Sequence, residues 1–263
     1  MNAPGYATIQ LLLAHIKGLD LAGVTRVDLT QPPYNVRKDI HLYRMEVNGK
    51  PVMVLWWDQR SVLYTVSCHV PQCSKSRGYG PMHLLGTTRF NFWASARGQV
   101  KNTFVFTTAG QQIKTLGSFV FYNSFVDQQD QATQEVKVAV SVDPKGVPGS
   151  YTTVLQATLN RPQGKTDKPY DPSRQKPQIF TLFQPVPARY IKVTTVSNYG
   201  HPSQISMNKV QAFEPDQTIA IPVEATRVRV TNLLKPETNR KYDTPSHTLR
   251  LTIDRDPVLV EGL

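Results

Sequence analysis

Ala188-Arg189-Tyr190-Ile191-Lys192-Val193-Thr194-Thr195-Val196-Ser197-Asn198-Tyr199-Gly200-His201-Pro202-Ser203-Gln204-Ile205-Ser206-Met207-Asn208-Lys209-Val210-Gln211-Ala212-Phe213 is the stretch that decides the fold. Ile191 and Val193 alternate with polar neighbours, the period of a half-buried strand. Asn198, Tyr199, Gly200 and His201 form a polar turn. Ile205, Met207, Val210, Ala212 and Phe213 then make a second strand, so the segment reads as a hairpin closing a β-structure.

Working outward, most of the chain has the same character. Ile40, Leu42, Met45 and Val47 approach Asn48-Gly49, and Val52, Val54, Leu55 and Trp56 leave it. Asn-Gly between such runs is a strong hairpin signal, because a type I′ turn needs positive φ at both central residues. Further strands are expected at 104–107, 118–122, 136–142, 152–158, 179–183, 218–223, 227–231, 248–253 and 258–261. One helix is expected, with Ile9, Leu12, Leu13 and Ile16 on one face, Thr8 as cap and Gly18 as stop. The Pro-, Lys- and Gln-rich span from Asn160 to Gln178 reads as a surface loop or flap.

The composition fits a folded, mainly β protein: 263 residues, 40% hydrophobic, 19% charged, with 20 prolines. No apolar run approaches the roughly 18 residues that span a bilayer. The start of the chain lacks the basic region and cleavage site of a signal peptide. The net charge of +11 is uneven. Residues 67–214 hold 16 Lys/Arg against 7 Asp/Glu, residues 1–66 hold 7 against 5, and residues 215–263 hold 7 against 7. A basic surface concentrates anionic partners, among them acidic polysaccharide and anionic lipid, or simply keeps the protein soluble. Nucleic acid ranks last, since no zinc-finger, helix-turn-helix or RNP-like motif accompanies the charge.

Three stretches together resemble a discoidin-type module (coagulation factor 5/8 type C, galactose-binding-like). They are Gly80-Pro81-Met82-His83-Leu84-Leu85-Gly86 through Phe92-Trp93-Ala94-Ser95, then Val136–Asp143, then Ala188–Phe213. The resemblance implies a jelly-roll β-sandwich whose loops at one end hold a carbohydrate, and so binding rather than catalysis. It also implies that Trp93 is a core residue. Two departures narrow the expectation. Where the family's structural calcium is held by an Asp and a Glu, this chain has Gly86 and Lys209, so no metal is expected. Where galactose binders carry a His after the Trp and an Arg in the next loop, it has Ala94 and the segment Asn123–Asp130, which argues against the usual galactose pocket.

A sugar site needs an aromatic face and polar side chains to fix hydroxyls. The expected loops offer Arg77, Tyr79, Asn123, Phe125, Tyr199 and His201, which are the candidate ligand-binding residues. Tyr199 could equally pack on a neighbouring strand. Trp56 and Trp57 are adjacent and face opposite ways in a strand, so one is expected in the core while the other is free to meet a partner.

The two ends of the chain resemble the tail of a secreted glycoside hydrolase, where the last helix of a (β/α)8 barrel leads into a small accessory β-sandwich. Leu42–Asp58 carries the first half of that likeness, and Thr218–Leu234 with Thr248–Leu263 the second. The expectation is a discontinuous accessory β-sandwich from 1–59 and 216–263 with an N-terminal helix, into which a discoidin-like domain at 60–215 is inserted. Insertion at a loop tip is tolerated because module termini lie close together. Three consecutive β segments of one larger sandwich are the alternative.

Catalysis is not expected. Glycoside hydrolysis needs two carboxylates across one cleft, and Asp58, Asp127, Asp130, Asp143, Asp167 and Asp171 fall in turns and loops. No Ser nucleophile elbow, P-loop or dinucleotide fingerprint is present. Cys68 and Cys73 bracket a Pro-containing turn and lack the further ligands of a zinc site, with His83 a weak third. They read as a local disulfide if the protein is exported, or as two unconnected thiols.

The function expected is therefore non-catalytic carbohydrate binding, with a lean towards acidic glycans, as part of a glycoside-hydrolase-like parent that is extracellular or periplasmic. The partners expected are a polysaccharide or glycan and a catalytic barrel domain. No cofactor or nucleic acid is expected, and a membrane surface stands behind these. Two other classes stay open. One is a structural module packed on a barrel. The other is adhesion to anionic membrane or protein surfaces through Met82, Phe125 or Tyr199.

Overall fold

The computed structural model describes residues 23–31, 34, 37–68, 79–86, 92–124, 129–143, 145–147, 149–162, 176–254 and 256–263. The Ile9–Ile16 helix expectation, Arg77, Phe125 and most of the 160–178 span lie outside them. Seventeen strands are described, and the 3-10 turns among them are at most five residues long. The chain divides into two compact units, Met1–Gln59 with Asp216–Leu263, and Arg60–Pro215.

The discontinuous unit contains a six-stranded antiparallel sheet. It is formed by β1 (Thr25–Val27), β2 (Ile40–Val47), β3 (Lys50–Trp57), β14 (Arg227–Asn232), β15 (Arg240–Asp243) and β17 (Val258–Gly262), in the order β1-β2-β3-β17-β14-β15. A two-stranded ribbon accompanies it, β13 (Gln217–Pro222) with β16 (Thr248–Ile253). The β2–β3 hairpin turns on Asn48 and Gly49 at φ of 52° and 73°, with Val47 facing Lys50. That is the two-residue turn whose backbone matches the strands' right-handed twist.

Both faces of β3 are buried. Leu55 and Trp57 join Leu42, Val228, Val230 and Val260 and the ribbon's Ile219, Ile221, Leu249 and Leu251 in one cluster. Val52, Val54 and Trp56 form a second cluster with Met45. The expectation for the tryptophan pair is corrected on this point. Trp57 and Trp56 are both core residues, one on each face, and the Trp56 ring stacks on His41 and Tyr43 at 5.2 and 5.1 Å.

The Arg60–Pro215 unit is a two-layer sandwich. One sheet has the order β4-β6-β11-β8-β9, built from β4 (Leu63–Cys68), β6 (Asn102–Thr108), β8 (Thr133–Ser141), β9 (Thr152–Thr158) and β11 (Tyr190–Asn198). The other has the order β10-β7-β12-β5, built from β5 (Trp93–Ala94), β7 (Lys114–Asn123), β10 (Gln178–Ala188) and β12 (Ser206–Phe213). Every named strand pair within them is antiparallel.

Phe104, Phe106, Val136, Val138, Ile191 and Val193 face Leu116, Phe121, Val210, Ala212 and Trp93 across one core. Trp93 is fully buried and meets Phe104 edge to face at 4.6 Å, a favoured aromatic geometry. Gly117 in β7 allows Pro215 to pass. A Cβ there would stand 2.4 Å from the Pro215 Cα, so only glycine fits.

Candidate functional site

At one end of the sandwich the described residues that follow β7, β9 and β11 (124 with 129–132, 159–162 and 199–205) come together, beside the start of β8, β12 and the short β5. Their side chains are tied mainly to each other's backbone. The Asn123 carboxamide is buried and donates to the carbonyls of Thr133 (2.8 Å) and Asn160 (3.0 Å), while its oxygen accepts from the Ser124 and Thr133 amides. Both donors and two acceptor positions are thus engaged. Asn123 fixes the loops and stands behind their surface.

His201 is held just as closely. Its Nδ1 accepts from the backbone amides of Ser203 (3.3 Å) and Gln204 (3.0 Å), its own amide donates to the Asp130 carbonyl, and its Nε2 lies 3.4 Å from the Gln131 amide. The same Gln131 amide nitrogen donates to the Gln204 side-chain oxygen at 3.4 Å, and the Gln204 amide donates to the Ser95 carbonyl at 3.1 Å. Asn198 completes the turn by donating to the carbonyls of His201 (2.7 Å) and Gln204 (2.6 Å). Gly200, at φ 107°, supplies the reversal between them.

Tyr199 lies half-buried beside this turn. Its hydroxyl donates to the Leu159 carbonyl and its amide to the Asp130 carbonyl. The Arg161 guanidinium sits 5.7 Å from the ring centroid, a cation–π distance. Burial pushes the phenol pKa up, and the Arg161 charge works against that rise. Tyr79 remains 38% exposed and tilts against Phe92 with centroids 4.7 Å apart. Its carbonyl accepts the Ala94 amide at the edge of β5.

Of the candidate residues, Tyr79, Tyr199 and His201 therefore belong to this end with solvent-facing surface, and Asn123 underlies it. Arg161 is the residue the sequence reading missed. It follows a Thr158-Leu159-Asn160 run with nothing local to mark it, and only the phenol–carbonyl bond to Leu159 brings it over Tyr199.

Lys209 lies along Gly86, where a Cβ would stand 2.4 Å from the lysine Cδ. Its ammonium sits 5.4 Å from the Tyr122 ring centroid, and burial lowers its pKa. Among the described residues no group of three or more His, Cys, Asp or Glu side chains could hold a metal ion. Cys68, at the end of β4, is disulfide-bonded, and the chain has one other cysteine, Cys73. No described helix is long and apolar enough to cross a membrane.

No protein-family model and no curated protein matches the chain. Its structural neighbours are family 32 carbohydrate-binding and F5/8 type C modules. The family 32 module of AlyQ, solved in complex with 4,5-unsaturated mannuronic acid, is 17% identical over 59% of this chain and 97% of its own, at a TM-score of 0.41. The family 32 module of Streptococcus pneumoniae EndoD is 14% identical over 59% and 99%, at 0.43. A pectin-binding module is 12% identical over 58% and 91%, at 0.41.

Proposed function

We propose that the chain is a non-catalytic carbohydrate-binding module that uses the loop end of its Arg60–Pro215 sandwich. The observation that carries this reading is the fixed aromatic-and-cation pair of Tyr199 and Arg161. Aromatic rings receive the C–H face of a sugar, and a guanidinium donates to hydroxyls or carboxylates. The turn that carries Tyr199 is held by hydrogen bonds from Asn198 and Tyr199 to backbone carbonyls, so that ring needs little ordering on binding. The finer expectations belong to the same proposal. The discoidin-like unit is inserted in an accessory sandwich, the parent protein is glycoside-hydrolase-like, and acidic glycans are preferred over neutral ones. A disulfide at Cys68 supports an extracellular or periplasmic setting for that parent.

The test is a glycan-array screen of neutral and acidic polysaccharides at moderate and high salt. Salt-resistant binding to at least one glycan, lost in Tyr199→Ala and Arg161→Ala, is the expected result. No binding to any glycan, or binding unchanged in both variants, would overturn the assignment. A second reading, adhesion to anionic surfaces, rests on Met82, which is 60% exposed at the 3-10 turn Pro81–Leu85. It requires capture by anionic vesicles that Met82→Gln abolishes.

A further inference from the structure

The five-stranded sheet of the sandwich has a second face, opposite the Phe104–Phe106 core, and that face carries a groove of about 800 Å³. Alternation puts it there. In β8, Val136 and Val138 turn into the core while Glu135 and Lys137 turn out, and in β11, Ile191 and Val193 turn in while Lys192 and Thr194 turn out. The pairing register then assembles a surface from residues far apart in sequence. Thr194 faces Lys137 on one side and Thr103 on the other, and Lys192 faces Ala139. Lys101 stands just before Asn102, the residue of β6 that pairs with Thr195. Lys192 and Lys137 are thus diagonal neighbours, roughly 7–8 Å apart at the backbone.

Three ammonium groups converge on this groove against one carboxylate, that of Glu135, which accepts from the Ser197 hydroxyl at 3.1 Å. Lys101 and Lys137 are exposed, and among the described residues neither forms an ion pair or a side-chain hydrogen bond. The Lys192 ammonium rests 4.2 Å from the Tyr151 ring centroid. Between the lysines lie hydroxyls, including the Thr103–Thr194 pair at 3.1 Å. Cations interleaved with hydroxyls suit a polymer whose units each carry both a carboxylate and hydroxyls.

We propose that this groove is a carboxylated-polysaccharide site, separate from the loop end and independent of the reading given to it. The Glu135 carboxylate separates this ligand from a phosphate polymer. It accepts from sugar hydroxyls, which the phosphodiester backbone of DNA lacks.

The test is titration calorimetry of the full chain with a polygalacturonate oligomer, its carboxyl-reduced neutral counterpart and single-stranded DNA of similar length, each at two salt concentrations. The acidic oligomer is expected to bind and to weaken with salt, and the reduced one to bind far less. Lys101→Gln/Lys137→Gln, which changes two exposed side chains, should weaken the acidic oligomer roughly tenfold. Lys192→Gln should weaken it further, while Tyr199→Ala leaves it within twofold. Polyuronate binding that survives the lysine double variant would overturn the proposal, as would DNA binding as tightly as the polyuronate. Loss of polyuronate binding in Tyr199→Ala alone would return the ligand to the loop end. Failure of the loop reading shows separately, in the array with the Tyr199 and Arg161 variants.

Discussion

The two units solve the problem of a sheet's second face in opposite ways. In the discontinuous unit, β3 is buried on both sides, and Val52-Met53-Val54-Leu55-Trp56-Trp57 reads as an unbroken apolar run. In the Arg60–Pro215 unit, β8 buries its Val136, Val138 and Val140 side and leaves Glu135 and Lys137 exposed on the other. Its Glu135-Val136-Lys137-Val138-Ala139-Val140 keeps charges on alternate positions. Each pattern follows from a side-chain period of two. A strand that loses its alternation announces two covered faces, and a strand that keeps it announces an open one, where function can sit.

That contrast can be broken most sharply by a lysine scan. Val54→Lys puts an unpaired ammonium on a covered face and should cost about 3 kcal/mol or more. Thr194→Lys adds the same charge to the open face, opposite Lys137, and should cost no more than about 1 kcal/mol. Urea unfolding followed by tryptophan fluorescence reads both, because Trp56 and Trp57 report one unit and Trp93 the other. Equal costs would dissolve the distinction between the faces.

Next in size is Gly117→Ala. Its new methyl meets the Pro215 backbone and should cost about 1–3 kcal/mol in the transition reported by Trp93. Asn123→Ala should cost about 1–3 kcal/mol as well, by stranding the Thr133 amide and the Thr133 and Asn160 carbonyls. Because those bonds fix the loops, Asn123→Ala should weaken glycan binding at the loop end while leaving the groove unchanged.

The smallest effect concerns Lys209. Burial lowers its pKa in the folded state, so folding releases a proton in the window between the folded and unfolded values. Stability should therefore rise with pH as the lysine passes through its depressed pKa. Lys209→Met should remove that rise, measured by urea unfolding across the alkaline range. A wild-type profile that falls over the same window would refute the buried-charge account.

Much of the fold was legible because its signals are local. The Asn48-Gly49 turn, the alternation of β8 and β11 and the apolar run of β3 each needed only a few residues. Strands without such a pattern were missed. β15 is Arg240-Lys241-Tyr242-Asp243, an edge strand with no buried residue, and β5 contributes only Trp93 and Ala94. The candidate site was half legible. Tyr79, Tyr199 and His201 were found as polar or aromatic residues in turns, but nothing in the sequence said that the Asn123 carboxamide would turn inward to the backbone. The groove was hidden for a different reason. Lys101, Lys137 and Lys192 sit on three strands, and only the pairing register shows that they share one surface. Their outward positions could have been read from alternation, but their convergence could not.

The β2–β3 turn also sets a chemical clock. Nothing bulkier than a hydrogen at Gly49 shields its amide nitrogen, so that nitrogen can attack the Asn48 side-chain carbonyl, expel ammonia and close a succinimide ring. Water then opens the ring to aspartate or to its β-linked isomer. The β-linked form adds a backbone carbon at the tip where Val47 faces Lys50. The residues that make this hairpin form readily are thus also the ones through which a stored sample ages, gaining negative charge and mismatched ends where two interior strands of the six-stranded sheet meet.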